Sequence, residues 1–401
     1  MALQASFSQV RDMTKRAPRG EYASPGEFTV TMQVGDQGER LNQLAGRAVY
    51  VDAIRTVAIV GVILLHAAGR WTIASQEIIQ MSPLQSTSWA VVDVYQTLGV
   101  IGVPLFLMLT GALLLQPEKK DESLKVFFKK RWARIGVPTL FWGVAYFVWD
   151  FLVQHIEFSS RTFVQGILNG PYTQFWYLYV LVGLYLLTPI LRKLIGQVDE
   201  TIMKYFAILW FVGAAVMPFF VLLTSFQLNG NVFTVTGYVG YYVLGAYLVT
   251  VRMRRRTISI LMILGVALTA IGTYVLAATV GGTDMYFFQQ YLSPTIILAS
   301  VMMFMMFLTV KPPSFQTQIA IPVVSTGNKL IGVISENTFP IFLLHVMVIE
   351  SIQKGYFGFT INRDVLNPVI EVPLLTAIVF FSCLGIILLL KKVPYVKRVI
   401  G

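Results

Sequence analysis

Arg55 and His66 lie eleven positions apart in VDAIRTVAIVGVILLHAAG, inside the first stretch of the chain able to cross a bilayer. An α-helix turns by about 100° per residue, so this spacing makes almost three turns and puts both side chains on one stripe. At a rise of 1.5 Å per residue they stand roughly 16 Å apart along the axis. A charge at depth costs on the order of 2.5–3.5 kcal/mol on insertion scales, so such residues usually face a polar interior and have a role. A guanidinium that can hold an anion and an imidazole that can move a proton therefore share one face.

The other chemistry-bearing residues are few. Of the three histidines, His155 falls in the polar segment FLVQHIEFSS and reads as a solvated side chain. His345, in SENTFPIFLLHVMVIE, sits at a depth similar to His66, and site lining and structural packing are equally weighted for it. Asp93 begins the second apolar run at the level of His66. It could accept a bond from one ring nitrogen and raise the basicity of the other, or be an exposed helix-start residue. Asp52, three residues before Arg55, offers it an ordinary ion-pair partner. Arg131 and Arg134, one turn apart in EKKDESLKVFFKKRWARIGVP, could grip phosphates. By composition alone a topology-setting, lipid-facing patch is the plainer account of that segment. GxSxG, P-loop, dinucleotide-binding glycine and HExxH patterns are all missing, and three scattered histidines argue against a metal site.

These residues must be positioned by membrane-spanning helices. Hydrophobic residues make up 56% of the 401, charged residues only 13%, and the long uncharged runs exclude an ordinary soluble globule. The fold class is all-α and polytopic. Ten spans are expected, at about 49–71, 91–115, 135–154, 174–191, 205–225, 232–251, 257–279, 286–310, 331–352 and 373–390. The net charge of +11 comes from Lys and Arg lying between these runs, which suits anionic lipid headgroups and not nucleic acid. Arg55 aside, only Arg70, Arg161, Lys354 and Arg363 fall on one side of the membrane; 26 of the 31 basic residues fall on the other. That asymmetry puts both termini in the cytoplasm of a multi-pass cell-membrane protein, Arg55 toward the cytoplasm and His66 toward the outside. Residues 1–46 read as a polar cytoplasmic extension with no signal-peptide core, followed by a membrane domain over 47–401. The single cysteine, Cys383, lies in an apolar run and reads as a buried small residue.

The R-x10-H pair, GVPLFLMLTGALLL (102–115), KKRWARIGVP (129–138), WYLYVLVGLYLLTPIL (176–191) and FPIFLLH (339–345) occur in this order. In that pattern the chain resembles the acyltransferase 3 family of integral-membrane acyltransferases over roughly residues 47–395. It looks closest to the branch that O-acetylates surface polysaccharides. The resemblance implies transfer from cytoplasmic acyl-CoA, most often acetyl-CoA, to a hydroxyl of an extracytoplasmic or lipid-linked saccharide. It implies His66 as the catalytic histidine, with Asp93 beside it. Arg55, Arg131 and Arg134 would hold the acyl-CoA, and His345 would line the site. The donor is a substrate, and no permanently bound cofactor or metal is implied.

A transporter or flippase of a glycan or lipid-linked precursor is the competing class. Transporters often show internal repeats and paired broken helices, and no convincing repeat joins the two halves here. A purely structural or sensory subunit would leave Arg55 and His66 without a purpose. The acceptor sugar and the oligomeric state, a homo-oligomer included, are open at this level.

Overall fold

The computed structural model describes residues 49–69, 77–116, 119, 121–157, 159–224, 237–310 and 322–401. The expected extension at 1–46 lies outside them. The described chain is a bundle of helices, which we number in order: α1 Val49–Ala68, α2 Pro83–Val100, α3 Gly102–Leu114, α4 Leu124–Arg131 and α5 Val137–Leu152. There follow α6 Ser160–Asn169, α7 Trp176–Ile195, α8 Glu200–Phe211, α9 Met217–Thr224 and α10 Val239–Leu248. The last four are α11 Arg255–Thr279, α12 Pro294–Leu308, α13 Pro322–Gln353 and α14 Pro368–Leu390. No strand occurs among the described residues.

Helix starts follow local chemistry. Ser82 accepts from the Gln85 N–H while the Gln85 side chain reaches back to the Ser82 N–H, and Pro83 supplies a first turn that needs no donor. Ser293–Pro294 and Asn367–Pro368 repeat the arrangement of polar cap and proline. Two interruptions also have causes. The turns Trp132–Gly136 and Val212–Val216 widen into π-helix immediately before the segments containing Pro138 and Pro218. Proline removes a donor and crowds the preceding turn, so the widened turn absorbs the misfit.

Nine continuous helical stretches among the described residues are long and apolar enough to cross a membrane, and α10 is a shorter apolar helix. Nine of the ten expected spans are met by these stretches, with altered bounds. The second extends over Pro83–Leu114 with a joint at Ile101, and the third is continuous from Leu124. The described part of the sixth is only the ten residues of α10. Along α5, Leu140, Val144, Val148 and Phe151 form an exposed apolar stripe, as a lipid-facing surface requires. Polar side chains such as Asp93, Gln96, Arg192 and Ser335 are instead buried within the bundle. The chain is a multi-pass membrane protein.

Helix crossings depend on glycine where backbones touch. A Cβ at Gly99 or Gly102 would collide with the Gly61 or Ala58 carbonyl of α1. Gly111 of α3 lies against the Tyr242 carbonyl of α10, and Gly245 of α10 against the Met108 carbonyl of α3. Such small-residue contacts are a usual basis of helix association in lipid. They press α2 and α3 onto one side of α1 and leave its Arg55–His66 stripe to α13.

Candidate active site

The stripe on α1 meets α13 at two levels. Arg55 Nη1 donates to Ser335 Oγ at 3.4 Å, and Ser335 Oγ donates to Asp52 Oδ1 at 2.6 Å. Ten residues further along α13, the His345 ring lies 5.0 Å from the His66 ring, centroid to centroid, at an interplanar angle of 62°. Sequence number rises the same way on both helices, so α1 and α13 run parallel. The polar stripe is therefore an interface between two helices.

At the Arg55 end the groups are basic. Tyr185 of α7 lies within electrostatic reach of Arg55, Arg131 and Arg134. The Arg131 guanidinium sits 5.4 Å from the centre of the Phe127 ring and 5.9 Å from that of Tyr185. Arg192, at the end of α7, sits 4.8 Å from the same Phe127 ring. It is anchored by Leu114 O at 2.5 Å and Glu122 Oε2 at 2.9 Å, while Lys130 holds the other Glu122 oxygen at 2.7 Å. Burial pushes the Glu122 carboxyl up, but the bonds from Lys130 and Arg192 outweigh it and hold it below its ordinary value. This clamp therefore persists through neutral pH and is lost as pH falls through the lowered value. Arg131 Nε and Arg192 Nη2 are buried without a hydrogen-bond partner. Two orphaned cationic donors over one aromatic ring suit a bound phosphate or diphosphate.

The histidine end is more apolar. Phe342 lies 5.8 Å from His345 and 5.3 Å from Tyr177, which is 6.4 Å from Phe106. Beyond His66, a cavity of about 240 Å³ is lined by Ala67, Ala68, Gln353, Asn362, Arg363, Asp364 and Glu371 among others. Basic end, aromatic cluster and polar cavity thus follow one another along α1 and α13.

A family model described as an acyltransferase domain matches residues 48–390. The chain belongs to the acyltransferase 3 family. It is a membrane acyltransferase in class, and its spans and polar stripe can be read in those terms. No curated protein and no solved structure gives a match.

Within this acyltransferase, the sequence-selected residues divide. Arg55, Arg131 and Arg134 converge at Tyr185, although Arg134 stands in the π-helical turn and is not one regular turn from Arg131. His66 and His345 are brought together, so two of the three supposedly scattered histidines are neighbours. Asp93 is the correction. Its carboxylate accepts from Gln289 Nε2 at 2.6 Å, and the same amide also reaches its carbonyl at 3.2 Å and Thr97 Oγ1 at 3.4 Å. Asp93 is buried in a tie from α2 to the 3-10 turn Asp284–Gln289, so it is not the exposed helix-start group, and among the described residues no hydrogen bond joins it to His66. Sequence reasoning missed Tyr185, Arg192 and Ser335. Arg192 carried a signal, as an arginine at the end of an apolar run, but it was counted only toward topology.

Proposed function

We propose that the protein is an O-acyltransferase that moves an acyl group, with acetyl the favoured one, from acyl-CoA to a hydroxyl of an extracytoplasmic or lipid-linked saccharide. The observation that carries this reading is the α1–α13 interface, basic at Arg55 and histidine-bearing at His66. The basic end would face the cytoplasm of the cell membrane, in keeping with the concentration of Lys and Arg there.

In this reading Arg55, Arg131, Arg134 and Arg192 bind the phosphates of CoA, and the narrow pantetheine arm rises past Tyr185 and Tyr177. The thioester then meets His66 below the polar mouth, where Asn362, Asp364 and Gln353 offer partners to sugar hydroxyls. His66 takes the proton from the attacking hydroxyl as its oxygen bonds to the thioester carbonyl carbon. Collapse of the tetrahedral adduct breaks the carbon–sulfur bond, and the proton passes from His66 to the departing sulfur. A thioester is already activated, so base and position are the main requirements.

The test is reconstitution in lipid with radiolabelled acetyl-CoA, measuring CoA release and label transfer. His66→Ala should lower turnover by about 10²- to 10⁴-fold, the usual contribution of a general base. Equal turnover in the two proteins would remove the catalyst. Absence of any acyl-CoA binding, with glycan movement across the bilayer, would establish the transport reading instead. A labelled acyl-enzyme trapped without acceptor would replace direct attack by a two-step route.

A further inference from the structure

His345 is a buried titratable group beside the proposed base, and its hydrogen bonding fixes its chemistry. Its ring is wholly buried, and Nδ1 lies 2.6 Å from the Phe342 carbonyl oxygen. A carbonyl can only accept, so Nδ1 carries the proton. In the neutral ring this leaves Nε2 a bare acceptor, and that atom is buried without a hydrogen-bond partner. Buried acceptors are rarely left so, which makes the orphaned nitrogen a feature to be explained.

The backbone that holds His345 is itself braced. Pro340 withdraws a donor from α13 two residues before Phe342. The Tyr146 hydroxyl of α5 donates to Leu343 O at 2.9 Å and accepts from the Met347 N–H at 3.3 Å, a side chain inserted across one turn of α13. Gln174 donates to the same Leu343 carbonyl at 3.4 Å. His345 is thus held between two externally tied residues.

The group facing it is His66, half-buried on α1 and 5.0 Å away between ring centres. From α7 Tyr177 meets Phe342, from α5 Tyr146 is bonded to Leu343, and Cys383 of α14 lies within electrostatic reach of Tyr146. His66 is the titratable partner coupled to His345. Among the described residues no carboxylate is hydrogen-bonded to either ring, and Asp93 is bonded to Gln289.

Resting on the proposed role of His66, we infer that His345 is a positioning residue whose bare Nε2, unpaired in this structure, takes the ring N–H of His66 when the acceptor hydroxyl engages the other nitrogen, and so fixes which His66 nitrogen faces the reacting hydroxyl. When His66 takes the hydroxyl proton it becomes an imidazolium with two N–H groups. One donates to His345 Nε2 and the other returns its proton to the leaving sulfur. His345 stays neutral throughout and takes up no proton. The pair works as an acid–histidine couple does, with a neutral acceptor suited to a bilayer interior in place of a carboxylate.

The chain has three histidines, so their tautomers can be read directly. Full-length protein labelled with ¹⁵N-histidine in lipid nanodiscs gives three ring systems. His155→Asn simplifies these to two, because His155 is exposed and adopts a φ of 55° that asparagine tolerates. His345 should show a protonated Nδ1 and an unprotonated Nε2; a protonated Nε2 in the neutral ring would overturn the inference. In the transfer assay, His345→Phe should lower kcat by about 10- to 100-fold with little change in KM for acetyl-CoA. It should also move the acid limb of the pH profile to lower pH, because the acceptor that stabilises the His66 imidazolium is gone. His345→Gln, which keeps an acceptor oxygen, should recover part of the loss. Wild-type kcat and pH profile in His345→Phe would refute the positioning role while leaving His66 as base. Wild-type turnover in His66→Ala would instead refute the functional reading on which it rests. If His345→Phe does not fold, the tautomer measurement on the His155→Asn protein still decides.

Discussion

At the scale of residues, the pairing of α1 with α13 turns isolated side chains into a site. Arg55 is held through Ser335 to Asp52, so its charge is oriented and only partly neutralised. A charge-assisted hydrogen bond contributes about 1.5–3 kcal/mol, and each 1.4 kcal/mol is tenfold in affinity. Arg55→Ala should therefore weaken acyl-CoA binding by roughly 10- to 100-fold. Ser335→Ala, which removes only the bridge, should weaken it less. Titration of the reconstituted protein with a non-hydrolysable acyl-CoA analogue checks both, and unchanged affinity in Arg55→Ala would exclude Arg55 from the donor site. Arg55 and His66 were legible in the sequence because helical periodicity is local, and eleven residues always return to one face. Ser335 was not, because its meeting with Arg55 joins positions 280 apart and no local pattern encodes which helices touch. Asp93 misled for the same reason. Its level in the membrane could be read, but its facing direction could not, and that direction is toward Gln289.

At the scale of elements, proline and glycine decide how closely and at what angle the helices meet. The apolar runs showed where helices lie, since length and hydropathy suffice for that. They did not show the π-helical turn that carries Arg134, because a widened turn has the same composition as a regular one. Nor did they show that α3 and α10 pack backbone to backbone through Gly111 and Gly245. A side chain at Gly245 would overlap the Met108 carbonyl, whereas one at Gly183 of α7 meets nothing within 4 Å. Overpacking of this kind typically costs about 1–3 kcal/mol and can cost more. Gly245→Leu should therefore lower the thermal unfolding temperature in detergent or nanodiscs well below wild type, and Gly183→Leu should leave it nearly unchanged. Equal stability of the two variants would mean that the crossing is not a tight one.

At the scale of the whole molecule, the question is which end of the bundle faces which compartment. The chain returns to the end from which it is described. Val49 opens α1 near Arg55, while Ile400 accepts a bond from Trp142 of α5 at 3.2 Å and Gly401 lies against Phe339, Pro340 and Pro138. Starting and finishing at one end requires an even number of crossings, so the nine long stretches call for a tenth in the region of α10. Charge suggests the direction, because the sequence assigns 26 of the 31 basic residues to one side, and the positive-inside rule would place that side in the cytoplasm. The only cysteine, Cys383, is fully buried in α14 and gives a silent background for labelling. Phe357 is 59% exposed in the connection from α13 to α14, and Tyr395 is 81% exposed beyond α14. In intact cells a membrane-impermeant maleimide should modify Phe357→Cys and leave Tyr395→Cys untouched until the membrane is opened. The reverse pattern would invert the molecule and put His66 with the cytoplasmic donor. Labelling of both from outside would break the even count, and with it the proposed route of an acyl group from one face of the membrane to the other.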